Sequence, residues 1–148
     1  YVERARCGLM LERMMKKVDM FVCSLPAMRA CASWTEAVDA FPVTGISLPG
    51  ELDFASLALL LTGSAAPALL PANIAGRDLC MFREDMAQAL GELAADEVNE
   101  LAVAWSAMAP WAGSAVNPFD LAGFLLELQA NWQRCATPGK AVLLWLEA

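Results

Sequence analysis

The chain has 148 residues, a net charge of −7, an apolar share of 58% and no histidine. This length fits one domain, able to bury roughly two-thirds of the surface its unfolded chain exposes, so folding requires no disulfide or metal staple. The missing histidine removes the common Cys/His zinc patterns and the usual base for a serine or cysteine nucleophile.

The high apolar share makes a membrane span worth testing. Phe54 to Gly76 is free of charge, but Gly63, Ser64, Pro67, Pro71 and Asn73 interrupt it; Leu101 to Phe119 is broken by Pro110, Gly113, Asn117 and Pro118. Neither stretch fits a spanning helix. The N-terminal segment alternates charged and apolar residues and lacks the compact apolar core of a secretion signal. Charge is segregated: residues 1 to 29 hold six bases against three acids, whereas residues 30 to 148 hold four bases against fourteen. An acidic body disfavours nucleic-acid binding, which needs clustered Lys and Arg, and suits attraction to a basic protein. The five cysteines, Cys7, Cys23, Cys31, Cys80 and Cys135, form no C-x-x-C pair. Read as small buried hydrophobes, they point to a reducing compartment and a cytoplasmic location.

In chain order, Cys7, Met10, Leu11, Met14 and Val18 keep helical spacing, which predicts an amphipathic helix over residues 1–18, either peripheral to the domain or extraneous to it. Asp19 to Leu25 reads as a short apolar strand ended by Pro26. Ser33-Trp34-Thr35-Glu36 is a capping box, predicting a helix to Phe41. Pro42 to Gly50 reads as a turn-rich connector. A leucine-rich helix is expected from about Asp53 to a left-handed cap at Gly63, and Ser64 to Gly76 reads as an irregular loop. Arg83 to Leu90 and Asp96 to Met108 read as two helices or one interrupted near Gly91. Asn117-Pro118 is a helix start, and the stripe Leu121, Phe124, Leu125, Leu128, Trp132 and Cys135 continues until Thr137-Pro138-Gly139. Ala141 to Leu146 is a buried strand that could pair with Met20 to Leu25. The expected fold is therefore mainly α: a single helical domain over residues 1–148, with a small two-stranded sheet joining the N- and C-terminal regions.

Chemistry has few places to reside. Glu84, Asp85, Glu92, Asp96, Glu97 and Glu100 run without an intervening base. Were residues 92–100 one helix, Glu92, Asp96 and Glu100 would share a face. A solvated face, a docking surface for a basic partner and a carboxylate metal site all remain open readings. Gly45-Ile46-Ser47-Leu48-Pro49 fails the nucleophile-elbow pattern at its final position, and no glycine-rich nucleotide loop is present. These absences lead to the expectation of a protein that is not an enzyme and carries no cofactor or metal. Trp105 and Trp132 fall on apolar helix stripes. Trp111 lies in a loop, where an indole serves as a lid on the core or as an interface anchor.

The pattern Leu101-Ala102-x-Ala104-Trp105, Pro110-Trp111-x-Gly113, Pro118-Phe119-Asp120-Leu121-x-x-Phe124-Leu125-x-x-Leu128, then Gly139-Lys140 and Val142-Leu143-Leu144-Trp145, resembles the C-terminal halves of bacterial immunity proteins encoded beside toxins of contact-dependent or type VI secretion systems. The resemblance is confined to residues 101–146 and transfers no binding residue. It implies a stoichiometric antitoxin that neutralises a cognate protein toxin by direct binding. An acidic body is compatible with a basic toxin, and on that reading Glu92, Asp96, Glu97, Glu100 and Trp111 are the candidate partner-binding residues. The alternative is a helical subunit or adaptor of a larger assembly, docking through its N-terminal helix.

Overall fold

The computed structural model describes residues 15–49, 54–72, 74 and 79–146. Most of the expected N-terminal helix, Cys7 to Met14, lies outside the described residues. The expectation of a mainly α fold is wrong: the architecture is mixed α/β, with six helices and a five-stranded antiparallel sheet among the described residues. The strands are β1 (Met15–Cys23), β2 (Val43–Pro49), β3 (Leu69–Pro71), β4 (Leu79–Phe82) and β5 (Ala141–Leu146), in the spatial order β2-β1-β5-β4-β3. The helices are α1 (Leu25–Arg29), α2 (Trp34–Ala40), α3 (Ala55–Thr62), α4 (Glu84–Glu92), α5 (Ala95–Ser106) and α6 (Pro118–Arg134).

The anticipated pairing of the two terminal strands is present, with Met20 opposite Leu144 and Val22 opposite Val142, but it is the middle of a larger sheet. Met20–Cys23 of β1 and the whole of β5 read as apolar runs because both faces are covered there. Val18, Met20, Val22, Val142 and Leu144 pack with α3 to α6, while Phe21, Cys23 and Leu143 pack on the opposite face with Met28, Cys31 and Ala37 from the α1–α2 segment. Residues 15–18 belong to β1, not to a helix. Val18, Met20 and Val22 alternate with Lys17, Asp19, Phe21 and Cys23, and period two prevails where Met14 and Val18 had suggested a helical stripe.

β2 occupies the stretch expected to be a connector. Its helix-side residues Thr44, Ile46 and Leu48 alternate with Gly45, Ser47 and Pro49, and glycine and proline are tolerated because β2 is an edge strand. β3 similarly falls inside the expected loop at 64–76, where Pro71 again sits on an edge.

Several local signals act as the sequence suggests. Ser33 Oγ accepts from the Glu36 N–H at 3.2 Å, while the Glu36 carboxylate accepts from the N–H of Ala32, one residue before the cap. Gly63 ends α3 at φ 70°, and Asn117 caps α6 by accepting from Phe119 N–H at 2.9 Å. Arg83 ties three segments together. Its guanidinium donates to Ala66 O, Thr62 Oγ1 and the Asp85 carboxylate, and that last hydrogen bond holds Asp85 below its ordinary carboxylate range.

α4 and α5 are separate helices, and the break falls at Leu93–Ala94, after Gly91. Gly91 is needed for a different reason: a β-carbon there would lie 2.7 Å from Cδ1 and 3.0 Å from Nε1 of Trp132. That indole also meets Lys140, whose Nζ sits 4.6 Å from the ring centroid and donates to Cys135 O at 2.8 Å, closing the end of α6. Gly91→Ala is expected to cost about 1–3 kcal/mol through overpacking. A urea melt would show it as a lower midpoint; an unchanged midpoint would mean that Trp132 moves aside freely.

Candidate functional site

The four predicted carboxylates lie at the α4–α5 corner, with Glu92 at the end of α4 and Asp96, Glu97 and Glu100 on α5. All four are exposed. Because the helix breaks between them, Glu92 does not continue the Asp96–Glu100 row by helical spacing. Val98, Leu101, Ala102 and Trp105 point α5 into the core, so Asp96 and Glu100, one turn apart, face out. Glu97 serves the helix itself, since its carboxylate accepts from the Ala94 N–H at 3.0 Å and caps α5. Glu92, Asp96 and Glu100 have no ion-pair or hydrogen-bond partner among the described residues.

The corner is held by α6. Buried Gln129 donates to Leu90 O at 2.8 Å and Leu93 O at 2.7 Å, and Gln133 donates to Gly91 O at 2.9 Å. These three carbonyls belong to the end of α4 and the break after it; Leu90 O also accepts from the Leu93 N–H at 3.3 Å, and the glutamine amides supply the donors to Gly91 O and Leu93 O. α6 is in turn fixed to the sheet by Asn131, which donates to Thr44 Oγ1 of β2 at 2.7 Å and accepts from Arg134 at 2.8 Å. The acidic corner therefore sits on a rigid support.

Trp111 differs from the acids in role. It is only 5% exposed, makes an edge-to-face contact with Trp105 at 5.5 Å, and serves as a lid on the core. Its Nε1 and that of Trp105 are buried without a hydrogen-bond partner. Trp111 also borders a groove of about 450 Å³ between the edge strand and the start of α6. Gly45, Ile46, Ser47 and Pro49 form one wall; Trp111, Ser114, Ala115 and Val116 of the α5–α6 loop, with Asp120, Leu121 and Phe124 of α6, form the other. Sequence reasoning missed this groove because residues 42–50 read as a connector. The available signal was the alternation of Thr44, Ile46 and Leu48. Phe119, beside Asp120 in sequence, is 84% exposed, the most solvent-accessible of the large apolar side chains described.

No catalytic arrangement emerges from the thiols. Cys23, Cys31, Cys80 and Cys135 form no disulfide among the described residues. Burial pushes the Cys23 thiol up to about 12, with the nearby Cys135 and Cys31 adding to the shift, so it stays protonated and unreactive near neutral pH. Among the described residues, no group of three or more Cys, Asp or Glu is placed to hold a metal ion, and no helix is long and apolar enough to cross a membrane. Comparison with known proteins found no family model that matches this chain, no curated protein significantly similar in sequence, and no solved structure significantly similar in fold.

Proposed function

We propose that this protein is a non-enzymatic binding protein of the immunity or antitoxin kind, acting in the cytoplasm and neutralising a basic protein toxin by direct contact. The observation that carries this reading is the α4–α5 corner. Glu92, Asp96 and Glu100 are exposed, close in sequence and unengaged, on a corner pinned from beneath by Gln129 and Gln133. Preplaced charges of one sign accelerate encounter with an oppositely charged partner and disfavour like-charged ones. Rigid support also limits the ordering cost of binding. The resemblance of residues 101–146 to immunity proteins supports the same class.

The test is capture of a toxin from the cell that makes this protein, followed by kinetics with a Glu92→Lys, Asp96→Lys, Glu100→Lys variant. Glu97 is left in place because reversing it would also remove a helix cap. Association at low salt should slow by about tenfold or more, with a smaller change in the dissociation rate. Equal association rates for the two proteins, with equal thermal melts, would reject the corner as the contact surface.

A further inference from the structure

The edge strand β2 offers a second recognition element, independent of the acidic corner. The Val22 N–H donates to Pro42 O at 3.3 Å, and this fixes the phase of the β1–β2 ladder. With the register uninterrupted from Phe21–Val43 to Met15–Pro49, Thr44, Ile46 and Leu48 form the hydrogen-bonded pairs with β1. The N–H and C=O groups of Val43, Gly45 and Ser47 therefore point away from the sheet. None of these three residues has a further hydrogen bond among the described residues. Gly45 and Ser47 are exposed, and the side-chain atom nearest to where a β-carbon of Gly45 would stand is Asp19 Oδ1, at 3.5 Å.

This unpaired ladder lies along the groove bounded by Trp111, Val116, Leu121 and Phe124. A strand laid on β2 would complete the backbone pairing, and every second side chain would project to the α6 side of the sheet, where the groove lies. Pockets of this size with mostly apolar walls hold apolar groups well. Asp120 is the one charged residue of the groove wall among the described residues. It favours a Lys or Arg on the incoming segment. A second copy of this chain, which carries net charge −7 and would bring another Asp120, is disfavoured by like charge.

We propose that β2 and this groove bind an extended, basic segment of a partner protein by strand addition, with alternate apolar side chains entering the groove and a cationic side chain meeting Asp120. On the antitoxin reading the segment belongs to the toxin, but the proposal concerns only the edge and stands without that identity.

Two capped heptapeptides serve as probes, one alternating leucine with lysine and one alternating leucine with glutamate. Binding is measured by calorimetry to the whole protein and to two variants. Ser47→Pro deletes an outward N–H while leaving the β1 ladder its donors, because residue 47 lies in a non-hydrogen-bonded pair. Asp120→Lys reverses the groove charge. The lysine peptide should bind, the glutamate peptide about tenfold more weakly, and Ser47→Pro should abolish binding with an unchanged circular-dichroism melt. Asp120→Lys should invert the preference between peptides.

Binding that survives Ser47→Pro in a folded variant, or no binding of either peptide to the unaltered protein, overturns the proposal. So does a dimer in sedimentation that Ser47→Pro disperses, since a second copy would then occupy the edge. The corner substitutions at Glu92, Asp96 and Glu100 are tested separately, so failure here leaves the antitoxin reading standing, and failure there leaves this one.

Discussion

Trp105→Ala should lower the unfolding free energy by about 3–5 kcal/mol, the range for deleting a fully buried aromatic side chain. Trp105 is 0% exposed and stands where α5, α6 and the loop between them meet. It stacks on Phe54 at 6.1 Å and 28°, meets Trp111 edge-on, and lies 6.4 Å from Phe124. Alanine would leave a cavity bordered by three aromatic rings that cannot all close into it. One effect works in the opposite direction: the indole Nε1 is buried without an acceptor, so its removal relieves a desolvation cost. Trp105→Phe isolates that effect and should cost much less than alanine. Urea unfolding followed by far-ultraviolet circular dichroism gives both values. A loss below about 1 kcal/mol for alanine would show that the cluster collapses around the missing ring.

Gln129→Leu should cost about 1–3 kcal/mol despite conserving size and adding apolar surface, because it leaves Leu93 O without its donor and Leu90 O with only the Leu93 N–H at 3.3 Å. Each buried acceptor left unsatisfied costs about 1–3 kcal/mol, and side-chain burial by leucine offsets part of that. Hydrogen exchange adds a spatial readout: protection should fall at the α4–α5 junction before it falls in β1 or β5. Uniform loss across the sheet would mean that Gln129 matters through α6 packing rather than through the corner.

Helices α2, α3 and α6 are legible from sequence because they carry their own punctuation, whereas α1, Leu25–Arg29, lies where the sequence predicts only a strand ended by Pro26. Ser33, Gly63, Asn117-Pro118 and Pro138-Gly139 mark ends that depend on local chemistry, and the stripe from Leu121 to Leu128 shows a buried face directly. The sheet is less legible. β1 and β5 are visible as short apolar runs, but β2, β3 and β4 are not, since two are edge strands carrying glycine or proline and the third has only four residues. What makes Val43–Pro49 a strand is its neighbour β1, which no local pattern encodes. The candidate site divides in the same way. The acids can be found by composition, whereas the groove depends on β2 and α6 being brought together by Asn131 and Thr44. Trp111 fits either a lid or an anchor by sequence; the fold makes it a lid that also walls the groove.

β5 lies between β1 and β4, and this has a consequence for how the protein is made. Among the described residues it follows every other strand and helix, yet it is the sheet's central strand, with Leu143 opposite both Phe21 and Met81. Until it is synthesised, β2–β1 and β3–β4 are separate strand pairs with no shared hydrogen bonds. The chain emerging from a ribosome therefore holds two unfinished half-sheets, each exposing an apolar flank, and loop closure across most of the sequence precedes the final core. Ala141–Leu146 is the segment on which completion of the native state depends.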